Sequence, residues 1–142
     1  MYMENNWYVA AWSGEVGASL FARTLLDQPI VLYRKQDGTV IALEDRCAHR
    51  RLPLSEGKVV DANIHCAYHG LVYDCSGKCI HVPGQLRIPK NARTRAYPVG
   101  ERHEFILVWR GDPERADESK VVSFPRLSDP NWGYSKDLLY VQ

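Results

Sequence analysis

The chain has 142 residues, enough for one domain around a single core. A formal charge of +1, with 45% hydrophobic and 25% charged residues, gives no electrostatic reason to expect nucleic acid or an anionic membrane surface. No apolar run approaches the roughly 20 residues of a membrane span, the N-terminus lacks the order of a secretory signal, and four cysteines are too few for a disulfide scaffold, so the expected setting is the reducing cytoplasm.

Short β-forming runs, bounded by Gly, Pro, Asp and Asn, follow one another along the chain. They lie at residues 6–12 (NWYVAAW), 29–35, 39–45, 62–69, 71–74, 79–83, 95–99 and 104–110. Between the first two, residues 14–26 (GEVGASLFARTLL) are the only stretch that reads as holding a helical turn. Asp37-Gly38 between two apolar runs predicts a hairpin with a type I′ turn, whose central residues need positive φ. Ser76-Gly77 predicts a second hairpin. No long segment keeps a period of 3.6, so the fold class is all-β, with antiparallel sheets. After Arg110 the chain becomes polar and proline-bearing, and residues 137–142 (DLLYVQ) read as a fresh strand. That strand either closes this domain's own sheet or opens a further domain.

Two phrases stand out: Cys47-Ala48-His49 and Cys66-Ala67-Tyr68-His69, with sixteen residues between His49 and Cys66. Thiolates and imidazoles are the donors that hold zinc, copper or iron–sulfur clusters. A mononuclear zinc with two Cys and two His is one reading. Zinc modules usually pair like with like, however, and here each phrase carries one of each. The mixed pattern suits a two-metal centre at the tips of two loops, each loop giving one ligand to each metal. His65 abuts Cys66 and strand geometry turns it to the opposite face, so packing is its expected role. His81 and His103 have no partner phrase and are expected at the surface or in hydrogen bonds. Cys75 and Cys79 flank the second turn, where opposition across a hairpin and a disulfide is the less favoured reading; a buried free thiol is the expectation for Cys79. Arg50 and Arg51 read either as loop-surface charge or as groups of which one steers an acidic partner or pairs with a neighbouring domain.

With these residues in view, the chain resembles the Rieske oxygenases. "CAHR" and "CAYHG" are similar to the Rieske pattern Cys-x-His…Cys-x-x-His, and "NNWYVAAW", "CAHRRLPLSEG", "CAYHGLVYDCSGKCIHVPG" and "VWRGDPERAD" resemble oxygenase components of the vanillate O-demethylase and dicamba monooxygenase type. Such oxygenases usually carry Pro where Ala48 and Ala67 stand and often Trp at Leu71; none of these is a ligand. The resemblance implies a Rieske-type all-β domain with two cluster-binding loops at one end, 47–52 and 66–71, within a core of about 40–115, and residues 116–142 leading into a catalytic domain. It implies one 2Fe–2S cluster, with Cys47 and Cys66 on one iron and His49 and His69 on the other, and Arg50, Gly70 and Tyr73 around it. Respiratory Rieske proteins add a disulfide clamp; Leu52 and Tyr68 at the matching positions rule it out. They also carry a Ser where Leu71 stands, so a hydroxyl donor is lost and Tyr73 is left to supply one.

The implied function is one-electron transfer from a flavin/iron–sulfur reductase or a ferredoxin to the mononuclear iron of an aromatic ring-hydroxylating or O-demethylating oxygenase. His69 is the expected exit, toward the catalytic domain of a neighbouring subunit in a homotrimer. By itself the chain is expected to be redox-active and inert as an oxygenase. A free-standing Rieske ferredoxin and, less favoured, a structural zinc module are the alternatives.

Overall fold

The structure, a computed structural model, describes residues 2–135, so the expected strand at 137–142 lies outside the described residues. The all-β expectation holds. Eleven strands form three antiparallel sheets among those residues.

The middle sheet carries the molecule. It is formed by β2 (Phe21–Leu25), β3 (Gln28–Arg34), β4 (Val40–Glu44) and the short β9 (Ala96–Tyr97), in the order β2-β3-β4-β9. On β3, Ile30, Val31, Leu32 and Tyr33 are all buried. Such a continuous apolar run requires cover on both faces, because successive side chains point to opposite sides. Val31 and Tyr33, with Leu43 of β4, face one core, shared with Leu54, Ile64, Leu71 and Tyr73. Ile30 and Leu32, with Val40 and Ala42, face another, shared with Ala10, Ala11, Ile106 and Val108. Each fully buried aliphatic side chain contributes about 1.5–3 kcal/mol. The second core is closed by the sheet of β1 (Asn6–Trp12), β11 (Phe105–Arg110) and β10 (Val99–Arg102). The first is closed by β5 (Lys58–Val60), β6 (Asn63–His65), β7 (Val72–Tyr73) and β8 (Cys79–His81).

Several expected elements change. Residues 14–26 hold only a 3₁₀ turn at Ser13–Glu15 before β2, whose residues pair with β3 from Phe21↔Leu32 to Leu25↔Gln28. The run 62–69 is a strand only as far as His65, and its partner β5 carries no strong β pattern of its own. The run 95–99 is divided between two sheets at Pro98, which has no N–H for a ladder.

The turns differ most. At Asp37-Gly38 only Gly38 has positive φ (87°), and the turn is closed by the Gly38 N–H donating to the Lys35 carbonyl at 3.0 Å. It is therefore not type I′. Asp74–Gly77 repeats this design: Gly77 has φ 77° and donates to the Asp74 carbonyl at 2.9 Å. The two-residue turns with both φ values positive are Leu26-Asp27, Asp61-Ala62 and His103-Glu104. None contains glycine, although left-handed backbone costs a non-glycine residue about 1–2 kcal/mol.

These turns yield two opposite expectations. Gly77→Ala places a Cβ against the Thr94 carbonyl oxygen at a left-handed φ, and should lose about 2–4 kcal/mol of unfolding free energy in urea. Ala62→Gly relieves strain in the Asp61-Ala62 turn and should gain up to about 1 kcal/mol. Equal midpoints for wild type and either variant would show that the turn energetics are misassigned.

Candidate metal centre

The two Cys/His phrases form loops of one design. In the first, the Cys47 N–H donates to the Leu52 carbonyl at 2.8 Å, and the Arg51 N–H donates back to the Cys47 carbonyl at 2.8 Å. In the second, the Cys66 N–H donates to the Leu71 carbonyl at 2.8 Å, and the Gly70 N–H to the Cys66 carbonyl at 3.1 Å. The left-handed residue falls at the same place in both, on Arg51 (φ 58°) and Gly70 (φ 70°). The histidines break the symmetry by one residue, two after Cys47 and three after Cys66.

Anchors fix each loop to the first core. Leu54 and Ile64 are fully buried beside Cys47 and Cys66. Asp45, buried just before the first loop, accepts from the Ser55 N–H at 2.7 Å and from the Ser55 hydroxyl at 2.6 Å, which ties the two ends of the loop together. Tyr73 rises from β7 between the loops. Its hydroxyl lies 3.1 Å from Cys47 Sγ and accepts from the Ala48 N–H at 2.9 Å. Burial, then the contact with Cys47, pushes the Tyr73 hydroxyl far up, so it stays protonated and is able to donate to a thiolate there.

The four candidate donors meet in two pairs, Cys47 with Cys66 and His49 with His69. Cys47 and Cys66 are buried; His49 and His69 are exposed, with their Nδ1 atoms 3.1 Å apart. Burial is the main influence raising the Cys66 thiol; the Tyr68 and His69 backbone N–H groups oppose it and the adjacent Cys47 adds to it. Those amides face the sulfur and favour thiolate. Two sulfurs below and two imidazole nitrogens above fit a binuclear cluster with one all-cysteine iron and one all-histidine iron. A single tetrahedral zinc would need all four donors around one point, whereas here the sulfurs lie in the core and the imidazoles at the surface.

A third wall went unread in the sequence. After β8 the chain runs as a strap, and Val82, Pro83, Gln85, Pro89, Asn91 and Ala92 line a cleft with His49, His69 and Leu71. The strap is stitched back by the Cys79 N–H to the Ala92 carbonyl at 2.9 Å and the Thr94 N–H to the Gly77 carbonyl at 2.8 Å. The dipeptide Pro83-Gly84 and the later Pro89 are the turn cues that could have marked it.

The remaining candidates settle outside the site. His65 is half-buried on β6 and His81 exposed on β8. His103 has its Nδ1 2.8 Å from the Ser128 hydroxyl and its Nε2 3.1 Å from that of Ser123. Cys75 and Cys79 are both free thiols; Cys79 pairs across the ladder with Tyr73, and exposed Cys75 sits in the turn, so they do not oppose each other. Burial raises the Cys79 thiol. Arg50 and Arg51 are exposed beside His49.

A family model described as the Rieske [2Fe-2S] domain matches residues 6–98. The chain belongs to this family. Its cofactor is a Rieske 2Fe–2S cluster. It is 42% identical to the toluene-4-sulfonate monooxygenase system iron-sulfur subunit TsaM1 of Comamonas testosteroni, across 100% of this chain and 41% of that protein. It is 43% identical to the oxygenase component of dicamba O-demethylase of Stenotrophomonas maltophilia, across 91% of this chain and 38% of that one. A crystal structure of dicamba monooxygenase with non-heme iron and dicamba superposes with a TM-score of 0.85 at 42% identity, covering 91% of this chain and 40% of that one. The chain thus spans about two fifths of the length of these relatives.

Tyr73→Phe should keep the fold and cost about 1–3 kcal/mol, because the Ala48 N–H loses its acceptor. With the cluster loaded, the same variant should show a lower midpoint potential, since a donor to Cys47 Sγ is gone. An unchanged potential by protein-film voltammetry would show that this hydroxyl does not tune the site.

Proposed function

We propose that this chain is the Rieske domain of an oxygenase component, in which Cys47, His49, Cys66 and His69 hold the cluster. When bound, the cluster supplies one-electron redox chemistry, taking an electron from a flavin/iron–sulfur reductase or a ferredoxin for the mononuclear iron of a catalytic domain. The observation that carries this reading is the layering of the four donors, with both sulfurs inside the core and both imidazoles at the surface.

The chain's own residues do four things in this scheme. Cys47 and Cys66 are shielded from water by Leu54, Ile64 and Leu71. Tyr73 and the amides of Tyr68 and His69 donate toward the sulfurs. Gly70 adopts a φ of 70°, and a side chain there would crowd Pro83, so the strap and second loop approach closely. His69 stands exposed beside that contact, under the ring of Tyr68 at 3.8 Å between centroids. Its Nε2 has no protein partner among the described residues, which supports His69 as the exit toward an acceptor on a neighbouring subunit of a homotrimer. Residues 116–142 are then the lead-in to the catalytic domain.

The test is elemental and spectroscopic. Two irons and two sulfides per chain and a Rieske-type EPR spectrum after dithionite are expected, with Cys66→Ser abolishing both. Zinc without visible absorbance would refute the reading. Buried Leu71 cannot donate where a serine would, so the midpoint potential should lie near the low end of the Rieske range, about −150 mV. A value above about +100 mV would contradict the hydrogen-bond argument.

A further inference from the structure

Among the described residues, Asp45 is the only Asp, Glu, Lys, Arg or His that is buried, with 6% of its surface exposed. Its two oxygens are taken up by one residue: Oδ1 accepts from the Ser55 N–H at 2.7 Å and Oδ2 from the Ser55 hydroxyl at 2.6 Å. It enters none of the ion pairs among the described residues. The adjacent Arg46 is turned to the surface, with its guanidinium 3.9 Å from Glu44. A carboxylate in the core with hydrogen bonds but no cation is unfavourable, because the neighbouring donors replace water only in part.

Tying the loop together does not require that charge. A neutral oxygen accepts from a backbone N–H as well, and this chain uses neutral groups wherever else a buried side chain braces the site. The Tyr73 hydroxyl accepts from the Ala48 N–H, the Tyr33 hydroxyl donates to the Ala62 carbonyl, and the Thr94 hydroxyl donates to the Glu44 carbonyl at 2.9 Å. The other aspartates that cap nearby backbone N–H groups, Asp37, Asp74, Asp117 and Asp129, all lie outside the core, where water stabilises the charge. Asp45 is the exception, and it stands at the base of the first loop.

Its place is rigid. The Asp45 N–H donates to the Pro29 carbonyl of the middle sheet at 2.9 Å, which holds the residue from behind while Ser55 holds it from the front. Two residues separate it in sequence from Cys47 and four from His49, so chain length alone keeps its backbone within about 14 Å of either ligand. Cys47 is itself buried, and the field of a buried charge is screened little by salt. A Rieske centre with two ferric ions, two sulfides, two thiolates and two neutral imidazoles has no net charge; one added electron makes it −1. A fixed negative charge at that range acts on the reduced state and leaves the oxidised one nearly untouched.

We propose that Asp45 is a built-in negative charge that lowers the reduction potential of the centre held by the two loops. This rests on the electron-transfer reading above and adds a residue that sets the driving force. In each reduction one electron passes from a donor to the centre, the donor is oxidised by one, and no bond is made or broken. Asp45 takes no part in that transfer and acts through space on its product.

The test is protein-film voltammetry at neutral pH on the cluster-loaded chain, with EPR of the reduced state. Asp45→Asn keeps an acceptor for the Ser55 N–H and removes the charge. Its midpoint should rise, favouring reduction about fivefold or more, which is about 40 mV at 59 mV per tenfold for one electron. Its EPR spectrum should match wild type, because the four ligands are unchanged. Ser55→Ala weakens the tie and keeps the charge, so it should unfold at lower urea without a rise in potential. Asp45→Thr, a second neutral replacement, should raise the potential in the same direction and answers the question if Asp45→Asn takes up no cluster. An unchanged or lowered midpoint in the neutral variants would overturn the proposal, as would an equal rise in Ser55→Ala. So would failure of both neutral variants to load while Ser55→Ala loads, since the carboxylate would then serve assembly and not potential. A wild-type chain that takes up no cluster would instead refute the electron-transfer reading itself.

Discussion

Two thiols have to lie side by side beneath a common layer while two imidazoles remain outside it, and most of the structure serves that demand. A cysteine at a loop tip would ordinarily be wet. Here both loops are drawn inward by the same device, a cysteine N–H bonded to the carbonyl five residues on, with one left-handed residue to make the reversal. That device works only if the loop bases are immobile. The first core supplies this: Tyr33, Leu43, Leu54, Ile64 and Tyr73 pack against the two cysteines from the middle sheet and from the sheet that carries the loops. The middle sheet in turn needs its other face covered, which is the role of β1, β10 and β11. The sheet farthest from the site is therefore part of what positions it.

Polar groups refine what packing makes rigid. Asp45 joins the two sides of the first loop through Ser55, and Tyr73 joins that loop to β7 through Cys47 and Ala48. Tyr33 does the same farther out, donating to the Ala62 carbonyl at 2.8 Å. Burial pushes its hydroxyl up to about 12, so it remains a donor across the ordinary pH range. In each case a buried side-chain oxygen satisfies a backbone group that the loops would otherwise leave unpaired.

Much of this was legible in the residues. The four candidate ligands follow from donor chemistry and spacing, the eight strand runs locate most of the sheets, and the Tyr73 hydroxyl could be anticipated as a donor. The failures have a common physical origin. Turn chemistry was read from glycine, yet the glycine-bearing turns at Gly38 and Gly77 place only one residue at positive φ, while the true two-residue turns at Leu26-Asp27, Asp61-Ala62 and His103-Glu104 contain no glycine. There the strand pairing on either side overrides local preference. β2 and β5 were missed for the same reason, since each is defined by its partner and not by its own pattern. The strap has no periodicity, and the loop symmetry between Arg51 and Gly70 joins residues of unlike type.

The strap also bears on the order of events during synthesis. A nascent chain that has emerged only as far as His69 already holds all four donors. It does not yet have the lid, because the Cys79 and Thr94 amides still lack their places against Ala92 and Gly77, and the Glu44 N–H still awaits the Arg95 carbonyl that it meets at 2.7 Å. The floor and roof of the site are thus completed by the same late segment, residues 92–95. Cofactor insertion is either an early event on an open hairpin or a late one that must lift a strap held at its C-terminal end by a few backbone bonds. In order of synthesis the strap is therefore the last wall of the site to close.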